Sequence, residues 1–284
     1  MNQMLFLGCP MWSLKGWAGP FLPSGTKPRD FLREYSRRLH CVEGNTTFYA
    51  LPAPAMVERW RDETPQDFRF CFKAPQRISH ELKLVNAEQE TTALIDRLQR
   101  LETRCGPTFL QLPPSFDARR LPALRAFLAA WPRELALAVE PRHGDFFDGA
   151  AHEREFDDLL HTHDAARVVF DTRALFALPP AHDADVRQAQ AAKPRFPLRR
   201  PPPAPFTFVR FCGQPDLAGT LPFLADWVAH LTAALNAGRQ VFFFLHSPDD
   251  LSAPQFARAL HDMLSRALPL PPLPDFGEQQ GTLF

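Results

Sequence analysis

The chain runs to 284 residues, too long for a minimal domain and sufficient for one large barrel or two small domains. Its 45% hydrophobic and 23% charged residues exclude wholesale disorder, and no apolar run approaches the roughly 20 residues that span a bilayer. Lys plus Arg and Asp plus Glu both number 32, so no net field draws the protein to DNA or an anionic membrane; nucleic-acid contact would need a local patch. Five cysteines, Cys9, Cys41, Cys71, Cys105 and Cys212, form no Cys-x-x-Cys pair and are odd in number, which argues against a disulfide framework and for a reducing cytoplasm. The N-terminus has no basic stretch and only Met4 to Leu7 as an apolar run before Gly8, so no export signal is expected.

Eight short β-rich runs recur, at 4–7, 40–43, 68–73, 108–112, 135–140, 167–171, 206–211 and 240–245. Their centres lie roughly thirty to forty residues apart, which leaves room for a crossover helix between parallel strands. Helical patterns fill most intervals. The first, 28–39, opens on a proline suited to a first turn, and 87–104 follows Asn86 as N-cap with Leu94, Leu98 and Leu101 on one face. Further helices are expected at 121–131, 153–161, 221–236 (stopped by Gly238) and 254–264. The pattern predicts an α/β protein built as a single (β/α)8 barrel of the TIM type. An open doubly wound sheet is the competing architecture, but no Gly-x-Gly-x-x-Gly follows the first strand and no nucleotide cofactor is expected. Residues 181–205 read as a large irregular loop, rich in proline and carrying Arg195, Arg199 and Arg200 as a candidate phosphate contact. Residues 267–284 read as a flexible Pro-rich tail beyond a barrel domain of residues 1–266.

In such a barrel the C-terminal strand ends carry the chemistry, and residues two apart share a face. Here those ends hold Glu43 with Asn45, Lys73, Gln111, Glu140 with Arg142, Asp171, Arg210 and His246. Alternation supports placing several inward: Phe68, Phe70 and Phe72 oppose Cys71 and Lys73, while Leu137 and Val139 oppose Ala136, Ala138 and Glu140. A salt-bridged layer that merely closes the barrel would use the same residues, but polar groups at seven consecutive strand ends point to a functional pocket. Glu43, Glu140 and Asp171 supply negative charge and Lys73, Arg142 and Arg210 positive charge. A divalent-metal cage presents carboxylates and histidines without such competing cations, so no metal site is assigned. The set suits an anionic guest, a phosphate-bearing small molecule or a nucleic acid fragment. The cations would hold phosphate, Glu140 or Asp171 would move protons, and Asn45 and Gln111 would orient the substrate. His80 and His246 are acid–base or ligand candidates, although a lone histidine is more often a structural hydrogen-bonder. Lys73 desolvated among cations could form a Schiff base; its carboxylate neighbours would oppose this by keeping it charged. Cys9, at the end of strand one, reads as a small lumen filler.

The same residues carry a family signature. GCPMWSLKGWAGPFLP (8–23), VEGNTTFYALP (42–52), Trp60 to Pro65, Phe70 to Pro75 with His80, GPTFLQLPPS (106–115) and AVEPR (138–142) occur in an order that resembles the YecE-like family, domain of unknown function 72. The resemblance implies a barrel, with Glu43, Asn45, Lys73, Gln111, Glu140, Arg142, Asp171 and Arg210 as family positions, and supplies no activity. It is imperfect at the last strands. His246 and Ser247 stand where many members carry paired asparagines, Phe256 replaces a later asparagine, and strand seven ends Arg210-Phe211-Cys212-Gly213 where Arg-x-His-Gly is common. The architecture also resembles endonuclease IV-type barrels, an analogy of fold alone.

At the end of the chain, Gln280-Gly281-Thr282-Leu283-Phe284 resembles the bacterial sliding-clamp-binding peptide: a glutamine to hydrogen-bond at a groove edge and an adjacent Leu-Phe pair to fill an apolar pocket. The leading expectation is therefore a barrel with hydrolytic or lyase-like chemistry on nucleic acid or a phosphorylated fragment, recruited through Gln280, Leu283 and Phe284. The alternatives are a sugar-phosphate isomerase or Schiff-base lyase acting through Lys73, and a non-catalytic clamp-tethered adaptor.

Overall fold

The computed structural model describes residues 4–200 and 204–276. Eight strands, β1 (Leu5–Cys9), β2 (Cys41–Gly44), β3 (Arg69–Phe72), β4 (Thr108–Gln111), β5 (Leu137–Glu140), β6 (Ala166–Asp171), β7 (Phe206–Cys212) and β8 (Gln240–His246), pair in parallel in the order β3-β2-β1-β8-β7-β6-β5-β4. Two bridges, Phe70–Cys105 and Lys73–Phe109, join β3 to β4 and close the ring. All eight expected strands form, and the architecture is the (β/α)8 barrel that their spacing implies. Among the described residues no helix is long and apolar enough to cross a membrane.

The helices are α1 (Phe31–Ser36), α2 (Pro54–Asp62), α3 (Glu88–Gln99), α4 (Leu121–Ala130), α5 (Ala151–Thr162), α6 (Arg173–Phe176), α7 (Ala184–Ala192), α8 (Leu217–Asn236) and α9 (Ala253–Ser265). Three depart from expectation. Helix α2, opened by Pro54, fills the β2–β3 interval that periodicity left empty and buries only Val57, so it carries little apolar pattern to read. Asn86 does not cap α3: it adopts a left-handed conformation (φ 53°) and the helix begins two residues later, behind Ala87. Within 181–205, Asp183 caps α7 by accepting from the Val186 amide at 2.7 Å, so that stretch is not wholly irregular.

Alternation splits the interior into two apolar bodies. Phe6, Cys41, Cys71, Phe109, Ala138, Ala166, Val168, Phe206, Phe208, Phe242 and Phe244 fill the lumen, while the other strand faces pack outward under the helices. Phenylalanines from β1, β4, β7 and β8 cross the barrel against small residues of β2, β3 and β5, and Phe6 stacks on Phe242 at 4.6 Å. The close approach of β1 to β2 requires Gly8, because a Cβ there would sit 2.3 Å from the Cys41 carbonyl oxygen. Cys9 belongs to the outer layer with Leu5 and Leu7 rather than to the lumen, and its amide donates to the Tyr35 hydroxyl at 2.7 Å.

The described part of the tail is packed, not loose. It runs back along α9, where Pro271 O meets His261 Nε2 at 2.9 Å and Pro274 O accepts from Arg258. Leu273 is buried, and Phe276 lies edge-on to Phe21 at 4.8 Å with the Arg258 guanidinium over its ring. Proline excludes this segment from a helix but not from a core groove, so the barrel body extends at least ten residues beyond 266. Gln280, Leu283 and Phe284 lie outside the described residues. Leu273→Ala is therefore expected to cost about 2–3 kcal/mol in chemical denaturation, whereas a detached leash would tolerate it without loss.

Candidate functional site

The layer above the phenylalanine plug follows from strand periodicity. Two residues beyond Cys41, Cys71, Phe109, Ala138, Val168, Phe208 and Phe244 come Glu43, Lys73, Gln111, Glu140, Phe170, Arg210 and His246. At the centre lies Arg210. Its Nε and Nη2 donate to Glu43 Oε2 and Oε1 at 2.8 and 2.6 Å, and its Nη1 donates to Glu140 Oε2 at 2.7 Å. All three side chains are buried, and the guanidinium lies over Phe109 and Phe170 at 5.1 and 4.8 Å. Burial alone would raise both carboxyls, but Arg210 and His246 hold Glu43 well below its usual range, and Arg142 and Arg210 hold Glu140 low. Burial would likewise lower Arg210; the two carboxylates outweigh it and raise the guanidinium.

Around this core the polar side chains rise toward solvent. Arg142 Nε donates to Glu140 Oε1, and its Nη2 donates to Gln111 Oε1 at 3.1 Å. Asn45 Nδ2 donates to Glu43 Oε1 at 2.7 Å and to Pro10 O at 3.1 Å. His246 is sandwiched, with Nε2 3.3 Å from Glu43 Oε2 and Nδ1 3.8 Å from Asp250 Oδ1. Burial raises the Asp250 carboxyl, and Asp250 itself is held in the left-handed region (φ 61°). Arg210 and Arg142 thus offset Glu43 and Glu140. Lys73 forms no ion pair among the described residues; its Nζ lies 3.9 Å from the centre of the Phe48 ring and 6.0 Å from that of Phe109. Burial, with Arg210 next, lowers the Lys73 ammonium to about 8. His80 sits on a single π-helical turn (Arg77–Glu81), edge-on to Phe48 at 5.0 Å, with Nδ1 2.8 Å from Ser79 Oγ. Burial and then Lys73 lower the imidazole to about 4, so it is neutral at pH 7.

Nine of the ten expected pocket residues therefore gather at one mouth: Glu43, Asn45, Lys73, His80, Gln111, Glu140, Arg142, Arg210 and His246. Asp171 does not. It faces outward, where Arg173 grips it through Nε and Nη2 at 3.0 and 2.9 Å and Trp227 Nε1 donates to it at 2.8 Å. Val168 in the lumen makes Phe170, not Asp171, the inward residue of β6, so Asp171 is not available as a base at the mouth. The arginine-rich loop is also committed to its own fold. Arg199 binds Glu153 and Phe147 O, Arg200 binds Asp226 and lies over Trp227, and Phe196 stacks on Phe147 at 4.2 Å. Sequence reasoning missed Asp250, Phe48, Tyr49 and Phe170. The alternation of β6 would have found Phe170; Asp250 has no such signal, since a loop brings it back onto His246. No group of three or more His, Cys, Asp or Glu side chains that could hold a metal ion occurs among the described residues.

Removing the central cation should leave buried Glu43 without its arginine and buried Glu140 with Arg142 alone. Arg210→Met is expected to cost about 3–5 kcal/mol at pH 7. With Arg210 gone, Glu43 loses its arginine and Glu140 keeps only Arg142, so both carboxyls titrate higher than in the wild type and the deficit should shrink as pH falls and protons neutralise them. In the wild type the depressed carboxyls stabilise the fold above their unfolded pKa, and that contribution is lost on acidification. Urea titrations of both proteins at several pH values check the two slopes.

The chain matches the family model described as "Protein of unknown function DUF72" over residues 6–277. It is 37% identical to the UPF0759 protein YecE of Escherichia coli K12 over 285 aligned residues, covering 99% of this chain and 100% of that protein. The UPF0759 protein YunF of Bacillus subtilis is 27% identical over 123 residues, 41% of this chain and 43% of that protein. Among solved structures, a DUF72 family protein from Thermotoga maritima superposes with a TM-score of 0.68 at 22% identity, covering 94% of this chain and 100% of that one. Another from Enterococcus faecalis gives 0.68 at 18% identity, covering 98% and 99%. These likenesses carry the fold; the model match and the full-length identity carry the family, and the chain belongs to the DUF72 family, UPF0759.

Proposed function

We propose that the barrel mouth binds a phosphate-bearing small molecule and hydrolyses its ester, with Lys73 as general acid. The observation that carries this reading is the state of Lys73: a part-exposed ammonium lowered by burial and by neighbouring Arg210, set over the Phe48 ring with no carboxylate partner among the described residues. Arg210 and Arg142 face it together with Glu140 and Glu43, but no carboxylate pairs with it directly, a contact that a phosphate would supply. Arg142 has its Nη1 without a described partner, and Gln111, its carbonyl oxygen taken by Arg142, retains an amide group to donate. Glu43 and Glu140 are saturated by arginine and held low, so they preorganise the donors rather than move protons.

An ammonium that titrates near 8 is mostly charged at neutral pH and yet gives up its proton readily. In the proposed step water supplies the new oxygen to phosphorus as the ester P–O bond breaks. The bonding pair stays on the departing oxygen, which takes its proton from Lys73; the attacking water keeps one proton as the P–OH of the released phosphate, and its other proton returns to the Lys73 amine. Arginine can replace the charge but not the proton, and this separates binding from chemistry.

Calorimetry and phosphate release with glycerol 3-phosphate and ribose 5-phosphate test the proposal. Lys73→Ala should weaken binding by about tenfold or more. Lys73→Arg should hold the ligand yet lose turnover. Affinity in the wild type should fall as pH rises through about 8, where Lys73 loses its charge, and stay flat in Lys73→Arg. Absence of saturable binding at millimolar ligand, or binding indifferent to Lys73→Ala, overturns the reading.

A further inference from the structure

Beside the proposed phosphate position stands an aromatic ring with little cover. Tyr49 is 81% exposed, the most open of the large hydrophobic side chains among the described residues. It follows the single 3-10 turn Asn45–Phe48 that leaves β2 at Glu43, so the strand that supplies the central carboxylate also projects this ring at the rim. Its only described ring contact is an edge-on one with Phe48, at 5.2 Å.

The backbone that carries the ring is tied down beside Lys73. Thr47 Oγ1 donates to Gly44 O at 2.7 Å and to Lys73 O at 2.6 Å, which ties the turn to both strands, and the Tyr49 amide donates to Thr46 O at 3.1 Å. Phe48 is the spacer: Lys73 Nζ lies 3.9 Å from its centre, and the two separations place the ammonium within about 9 Å of the Tyr49 ring. An exposed aromatic face within that distance of an unpaired cation matches the span from phosphate to base in a nucleotide.

From this geometry we infer that the phosphate-bearing guest is a nucleoside phosphate, its phosphate at Lys73 and Arg142 and its base stacked on Tyr49. The inference rests on the phosphate reading above and adds the second half of the ligand. A sugar phosphate would fill the space over Phe48 and leave Tyr49 in water; a base covers it, and stacking on tyrosine tolerates any base because each has a π-face.

Calorimetric titration of the intact chain with adenosine 5′-monophosphate and with ribose 5-phosphate separates the two layers of the argument. The nucleotide should bind about tenfold or more tightly than the sugar phosphate. Tyr49→Ala should erase that preference and Tyr49→Trp should keep it; the exposed position lets both variants fold. If neither ligand binds, the phosphate reading fails. If both bind equally, or if the preference survives Tyr49→Ala, the phosphate reading stands and the nucleoside inference is overturned.

Discussion

One guanidinium organises the upper half of this barrel. Arg210, on β7, reaches across the lumen to Glu43 on β2 and Glu140 on β5, joining residues 167 and 70 positions apart in sequence. Taking three charges out of water costs several kcal/mol per ion, and the Coulomb gain offsets this only where every lone pair and proton finds a partner. All four carboxylate oxygens have a partner here. Glu43 accepts from Arg210, Asn45 and His246, and Glu140 accepts from Arg210 and Arg142. The phenylalanine plug beneath makes the condition strict, because its apolar rings offer a stray donor no acceptor. Buried pairs of this kind are weak evidence for stability; their use in this barrel is to hold neighbouring groups in fixed positions.

From that centre the mouth is graded. Charges near the axis are buried and neutralised in pairs, whereas Asn45, Lys73, Gln111 and His80 are part-exposed at the rim. The inner pairs set the electrostatics of the outer ring. Arg210 lowers Lys73 from within, Lys73 in turn lowers His80, and Glu140 restrains the drop in both. Rim groups therefore carry perturbed proton affinities without themselves being locked, the arrangement expected where a site has to meet a ligand with little reorganisation.

The strand spacing and alternation made the barrel legible, because eight buried strands with inward small or phenylalanine residues leave a pattern of period two. The same rule places seven consecutive lumen neighbours and so predicts the charged layer. It fails only where it is not followed: Asp171 is polar and terminal on β6, but it lies out of phase with Val168. Other features have no local pattern. Helix α2 buries one residue, the 268–276 segment is a proline-rich chain that packs by shape, and Asp250 reaches His246 through a loop in a left-handed conformation. Tyr49 was visible as part of a motif, but exposure is a property of the folded rim and no sequence period encodes it.

The two sides of the mouth are unequal, and this bears on how a guest arrives. Over β6, β7 and β8 the excursion after β6 folds inward: Leu175 of α6 and Val186 and Ala189 of α7 bury Cys212 at the top of β7, Thr172 Oγ1 donates to Pro194 O at 3.0 Å, and His246 lies beneath. The arginines and Phe196 that follow are pinned to Glu153, Asp226 and Phe147, which holds this side shut. Over β2, β3 and β4 the side chains of Asn45, Lys73 and Gln111 are part-exposed. On the phosphate reading, a guest would meet the exposed Tyr49 and part-exposed Lys73 before the more deeply buried Arg142.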